Sequence, residues 1–270
     1  MAKERKGAKG ASSRAQPESY WKLSTRPLHI LVFLAPLIAL YELGSILYLA
    51  DDQRGVIATV RAWSILSRFF ETFGVASLHL PAAGLVIVLL VWHFFLRDSW
   101  RVRPPVIAGM AVESVLWCLP LIVFGMLIAQ GLSSGLIQSN GSANASFATL
   151  PWQSRLILSA GAGLYEELLF RLILISGVHF LVVDLARQSE GVGFVIAAVV
   201  SAVAFALYHN ISHPRGGADL ALLASYSVAG LYFAALFLLR GFGVAVMTHA
   251  LYDVVVLIAA PASVAAVNGS

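Results

Sequence analysis

Long apolar stretches separated by short polar segments dominate the chain from residue 27 onward. About 20 apolar residues cross the hydrocarbon core of a bilayer as a helix. Seven stretches reach or approach that length, roughly 27–50, 77–96, 105–130, 152–183, 191–208, 218–239 and 241–262. They leave no room for a soluble domain of useful size. The pattern therefore predicts an all-α, polytopic transmembrane bundle of about seven spans, forming a single domain over residues 27–265.

Residues 51–76 follow a different pattern, typical of an amphipathic helix. Arg54, Arg61 and Arg68 recur every seven residues and so share one helical face. Ile57 and Ile65 fall nearer these arginines, which makes the separation imperfect. The opposite face carries Val56, Val60, Trp63, Leu66 and Phe70. We therefore expect a helix that lies in the membrane interface rather than an eighth span.

Composition supports a membrane protein. Hydrophobic residues make up 59% of the 270 residues and charged residues only 12%, and the mean hydropathy is +0.82. A soluble domain of this length needs more charge on its surface. The one cysteine, Cys118, excludes a disulfide framework and is interpreted as a packing residue.

The basic residues are concentrated at the amino terminus. Seven of the 18 lysines and arginines, including every lysine, lie in residues 1–26, which we expect to form a disordered cytoplasmic tail. With the amino terminus in the cytoplasm and seven crossings, 12 basic residues face the cytoplasm and five the other side, which favours that orientation. Next to a membrane span, such a tail indicates topology and lipid contact rather than nucleic-acid binding. Residues 131–150 carry no charge and are predicted to form a loop.

Ionisable residues inside spans are costly and usually functional. The fourth span carries Glu166, Glu167 and Arg171, and the i,i+4 spacing allows Glu167 and Arg171 to pair. Glu166 lies about 100° around the helix, which leaves it available as a general base. The alternative is a buried ion pair with one incidental glutamate.

Two later spans carry further polar pairs at i,i+4 spacing, Phe205 with His209 and His249 with Asp253. A carboxylate can orient a histidine. By the helical rise, Glu166 lies ~21 Å along its span from Trp152, whereas His209 falls at the end of its own span. Either the fifth span starts deeper than drawn, or the helices are tilted or broken.

The order EExxxR, FxxxH, HxxxD over residues 150–260 resembles the CPBP intramembrane protease family, which includes type II CAAX prenyl endopeptidases and bacteriocin-processing or immunity-associated proteins. The resemblance implies an endopeptidase in which Glu166 activates water and His209 assists. It makes Glu167 and Arg171 a supporting pair, together with Phe205. His249 and Asp253 occupy its HxxxN/D motif, where they would position water or stabilise the oxyanion. Ionised aspartate cannot donate to an oxyanion, so orienting His249 is the role left to Asp253.

The resemblance further implies a peptide or membrane-protein substrate, no nucleic acid and no cofactor. For a bacterial chain the location would be the plasma membrane. Two alternatives stay open. Glu166, His209, His249 and Asp253 could bind Zn²⁺ in a metalloprotease, or the buried charges could serve a transporter or a non-enzymatic immunity or scaffold protein. No motif connects the other intramembrane ionisable groups to this set: Glu42, His93, Glu113 and His179.

Overall fold

The structure, a computed structural model, describes residues 18–49, 60–72, 79–133, 150–212 and 217–259. Within these ranges the regular structure is helical, and the sole β-type pairing is an isolated bridge between Ser212 and Ala218. The helices are α1 Tyr20–Ser24, α2 Pro27–Leu49, α3 Arg61–Thr72, α4 Leu80–Leu96, α5 Pro104–Ser133, α6 Trp152–Leu185, α7 Glu190–Tyr208, α8 Leu220–Arg240 and α9 Phe242–Ile258.

Seven of these helices match the predicted spans. Five of them, α2, α5, α6, α7 and α8, are long and apolar enough to cross a membrane, and α4 and α9 are shorter apolar helices. The prediction of an all-α polytopic helical bundle is therefore confirmed.

The amphipathic helix predicted between the first two spans is present as α3. Leu66 is buried in the core, while Arg61 and Arg68 are exposed on the other face. Ile65 is also exposed, as its position near the arginines indicated. Arg54 and Val56 lie outside the described residues.

Two predicted boundaries need correction. The predicted disordered tail does not extend over residues 18–26, because α1 forms there and buries Leu23 and Ser24. The predicted loop at 131–150 begins later, because α5 continues through Ser133. Residues 1–17 and the stretch 134–149 lie outside the described residues.

The helical hairpin formed by α6 and α7 places Glu166 and His209 at the same depth. α6 and α7 are joined by residues 186–189, and Glu166 lies 19 residues before Leu185 while His209 lies 19 residues after Glu190. Each is therefore ~28 Å from the same turn. The depth of Glu166 counted from Trp152 disagrees with that of His209 because α6 has 34 residues. A helix of that length is ~51 Å long and extends beyond the ~30 Å apolar core.

Close packing of α6 against α9 brings His249 close to Glu166. These two helices share the most extensive contact in the bundle. A Cβ atom at Gly163 would lie 2.8 Å from both the Val246 carbonyl oxygen and the Ala250 nitrogen. The absence of a side chain at Gly163 thus allows the two backbones to approach closely. Glu166 follows Gly163 by three residues and His249 precedes Ala250, so both reach the contact.

Candidate active site

Glu167 is held on two sides at the centre of the bundle. It is fully buried, and Arg171 Nε lies 3.2 Å from its Oε2 while His249 Nδ1 donates to its Oε1 at 2.8 Å. Arg171 itself is fully buried, with Nη2 donating to the Gly230 carbonyl at 3.3 Å. The predicted pairing of Glu167 with Arg171 is present. The π-helical segment Leu168–Ile175 accommodates Arg171, and such segments are frequent at functional sites.

Glu166 faces the two histidines. Its Oε2 lies 3.9 Å from His209 Nε2 and 3.9 Å from His249 Nε2. That oxygen is buried and makes no hydrogen bond to any of the residues that the structure describes. Both distances are too long for a direct hydrogen bond and fit a bridging group of about the size of a water molecule.

His209 is oriented by the end of α7. The helix ends at Tyr208, and the His209 backbone is extended. Its Nδ1 lies 2.8 Å from the Phe205 carbonyl oxygen. Because a carbonyl only accepts, Nδ1 carries the hydrogen, which leaves the Nε2 lone pair directed toward Glu166. Burial lowers the pKa of His209 to about 4, so the ring stays neutral at physiological pH.

His249 is oriented by a different residue from the one the sequence indicated. Asp253 was expected to fix the ring, but its Oδ2 lies 3.6 Å from Nε2, beyond a normal hydrogen bond. Glu167 makes the hydrogen bond instead, at Nδ1. Asp253 is partly exposed and borders the site beside the imidazole edge that faces Glu166.

Aromatic rings enclose the charged groups. Phe205, expected as a supporting residue, has its ring centroid 4.5 Å from that of His209 and 4.6 Å from Arg171 Cζ. Tyr226 stacks on His209 at 4.4 Å and Phe233 stacks on His249 at 4.5 Å. These stacking contacts restrict how each imidazole can turn.

Sequence reasoning missed Tyr226 and Phe233. They lie seven residues apart on α8, a helix whose residues 221–239 carry no charge. The only available signal was an i,i+7 aromatic pair, and such a pair is usual in any helix core.

The other ionisable groups that the sequence places within or near the spans lie elsewhere. Glu42 bonds with the Tyr165 hydroxyl and His79, and Glu113 pairs with Arg240. His93 packs against Trp100 and His179 against Phe194. None contacts the group that we call the Glu166 cluster in the described structure. Its members are Glu166, Glu167, Arg171, His209 and His249. Leaving them out of the site is consistent with these contacts.

The zinc alternative would use Glu166, His209, His249 and Asp253 as ligands. Among the residues that the structure describes, no group of three or more His, Cys, Asp or Glu side chains is arranged to hold a metal ion.

The fold and this buried glutamate–histidine cluster together define a polytopic membrane protein with a site suited to acid–base chemistry. Residues 148–255 match a protein-family model described as type II CAAX prenyl endopeptidase Rce1-like. This match confirms the resemblance and supports membrane endopeptidase activity, and all of the predicted site residues lie in the matched segment. No curated protein and no solved structure matched the chain.

Proposed function

We propose that this protein is an intramembrane endopeptidase that uses Glu166 to activate water. The observation that carries the proposal is the Oε2 atom of Glu166, which is buried and lies 3.9 Å from the Nε2 atoms of two histidines, one directly after α7 and one on α9. A buried carboxylate positioned this way suits proton transfer better than structural support.

The proposed reaction begins with a substrate water held between Glu166 and His209. The water donates one hydrogen to the Glu166 carboxylate and the other to His209 Nε2. Glu166 removes its proton as the water oxygen attacks the scissile carbonyl carbon. The carbonyl becomes a tetrahedral oxyanion. When the C–N bond breaks, the proton passes from Glu166 to the departing amine, and a carboxylic acid remains.

The remaining residues position this chemistry. Arg171 compensates the charge of Glu167, and Glu167 holds His249 through Nδ1. His249 Nε2 then faces the reacting atoms as the donor for the oxyanion. Asp253 lies 3.6 Å from that nitrogen and stabilises positive charge on the ring.

The alternatives have less support. For a zinc protease, the described residues include no group of three or more His, Cys, Asp or Glu side chains arranged to hold a metal ion. An immunity or scaffold protein does not require an unbonded carboxylate oxygen beside two histidines, whereas a proton relay in a transporter would use one. The family match favours peptide hydrolysis over both.

The substrate is a peptide or a membrane protein that reaches this site from the bilayer. We propose that the amino terminus is cytoplasmic, because 12 basic residues against five then face the cytoplasm. In a bacterium the location is the plasma membrane. Whether the substrate carries a prenyl group is an outcome of the test below.

The test is cleavage of quenched fluorescent peptide libraries, with and without a prenylated carboxyl terminus, by the purified protein in lipid. The wild type is compared with Glu166→Gln, each with and without a zinc chelator. Glu166→Gln keeps the side-chain shape and removes the base. We expect cleavage to fall at least ~10³-fold and to survive the chelator.

His209→Gln and His249→Gln are expected to lower kcat by ~10²-fold or more. Full activity in Glu166→Gln would refute the assignment of Glu166 as the base. Activity that is lost to the chelator and restored by Zn²⁺ would replace it with the metalloprotease.

A further inference from the structure

The carboxyl end of α7 is fastened by a residue of the amphipathic helix α3. The last carbonyl groups of any helix have no partner within that helix. Here Arg61 Nη1 donates to the Tyr208 carbonyl at 2.7 Å. The partners are 147 residues apart in the sequence, and Tyr208 directly precedes His209.

Two more contacts join the same pair of helix ends. The Arg61 Cζ atom lies 5.2 Å from the Tyr208 ring centroid, within the range of a cation–π interaction. The backbone N–H of Ala62, in the first turn of α3, donates to the Tyr208 hydroxyl at 2.7 Å. Tyr208 is thus held at its carbonyl, its ring and its hydroxyl.

Tyr208 is one of the residues that set the position of His209. The His209 backbone has left the helix, and its N–H keeps one bond to α7, to the Ala206 carbonyl at 3.2 Å. The Tyr208 ring contacts Phe170 and His209, at centroid distances of 5.2 and 5.3 Å. A shift of Tyr208 would therefore change the distance between His209 Nε2 and Glu166.

We propose that Arg61 is a positioning residue for hydrolysis. By holding Tyr208 at the end of α7, it keeps His209 Nε2 at the distance from Glu166 that the reaction needs. The proposal rests on the function proposed above. It also makes α3 more than a surface helix, because its first turn sets the geometry of the site. Burial is the main reason for the low pKa of His209, and the positive charge of Arg61 adds to it.

Arg68 provides a matched control. It is exposed on the same face of α3, two turns and ~10 Å from Arg61 along the helix. Arg61→Gln and Arg68→Gln each remove one positive charge from α3. Arg61→Lys retains the charge and N–H donors on one nitrogen, without the planar group that stacks on tyrosine.

The experiment measures kcat, KM and thermal stability of these variants in lipid. Since a displacement of about 1 Å can cost ~10²-fold in rate, we expect Arg61→Gln to lower kcat ~10–100-fold with KM and Tm near wild type. Arg61→Lys should recover part of the loss, and Arg68→Gln should behave as wild type. Tyr208→Phe should lower kcat less, and adding it to Arg61→Gln should give less than the product of the two effects.

A second readout does not depend on activity. In histidine-labelled protein, the His209 NMR signal, assigned with His209→Gln, should shift in Arg61→Gln and stay in place in Arg68→Gln. An unmoved His209 signal, or equal effects of Arg61→Gln and Arg68→Gln, would overturn the positioning role. Failure of the proposed function would show separately, as full cleavage by Glu166→Gln.

Discussion

Glu113 and Glu166 both lie inside membrane-spanning helices, yet their oxygens are surrounded differently. At Glu113, both oxygens are bonded. Arg240 Nη2 and the Tyr20 hydroxyl donate to Oε2 at 2.7 and 2.5 Å, and Trp117 Nε1 donates to Oε1 at 3.1 Å, beside Arg240 Nε. Trp21 adds its ring, 4.0 Å from Arg240 Cζ. This cluster ties α1, α5 and α8 together.

In the Glu166 cluster, one glutamate is paired and the other keeps an oxygen without a hydrogen bond. Glu167 pairs with Arg171 and accepts a hydrogen bond from His249, so both of its oxygens have a partner, as those of Glu113 do. Glu166 Oε2 stays 3.9 Å from the nearest histidine nitrogens. Burying a carboxylate oxygen without a hydrogen bond costs free energy.

The comparison separates a carboxylate that holds helices together from one positioned to react. A structural carboxylate lowers the free energy of the fold by filling its hydrogen bonds. A reacting carboxylate needs an oxygen that remains available to the substrate, at some cost in stability. Replacing Glu166 and replacing Glu113 should therefore have opposite consequences for stability and activity.

The largest expected effect on stability comes from removing the arginine of the site. Arg171→Met leaves Glu167 buried without its cation, which we expect to lower the free energy of unfolding by ~3–5 kcal/mol. Adding Glu167→Gln removes the uncompensated charge and should recover part of that loss. Thermal unfolding in detergent measures both variants. Wild-type stability in Arg171→Met would show that the buried pair contributes nothing.

A smaller loss is expected at the structural cluster. Glu113→Gln weakens the bonds to Arg240 and Tyr20 but keeps an acceptor, so we expect ~2–3 kcal/mol of destabilisation. The activity per folded molecule should stay unchanged, because Glu113 does not contact the Glu166 cluster. A drop in kcat at full folded fraction would show that the two clusters are coupled.

The sequence predicted much of this arrangement. Helix length and apolarity gave the seven apolar helices, and seven-residue spacing gave α3 with Arg61 and Arg68 on its exposed face. The i,i+4 rule gave the pair of Glu167 with Arg171, because both residues lie on one helix. Regularities within a single helix are readable from the chain.

Contacts between helices were not readable in the same way. Glu113 and Arg240 are 127 residues apart, and nothing in either segment indicates the other. The equal depth of Glu166 and His209 depends on where the turn between α6 and α7 lies. Similarly, the hydrogen bond of His249 is made with Glu167 on another helix, in addition to the i,i+4 contact with Asp253.

The smallest predicted effect concerns pH. Because the pKa of His209 falls to about 4 in the folded protein, against ~6.5 in the unfolded chain, the unfolded state binds more protons between these values. His209 therefore stabilises the fold above pH ~6.5 relative to acid, and this contribution is lost as the pH falls toward 4. Tm should decrease from pH 7 to pH 4.5, and the decrease should be smaller in His209→Gln. Identical pH dependence in both proteins would contradict a neutral, buried His209.

The most direct test compares Glu166→Gln with Glu113→Gln, measuring peptide cleavage per folded molecule and Tm on the same samples in lipid. We predict that Glu166→Gln loses cleavage at least ~10³-fold with Tm equal to or above wild type. Glu113→Gln should keep cleavage and lose Tm. If Glu166→Gln lost stability and still cleaved, or if both variants lost the two properties together, the assignment of Glu166 as the reacting carboxylate would be wrong.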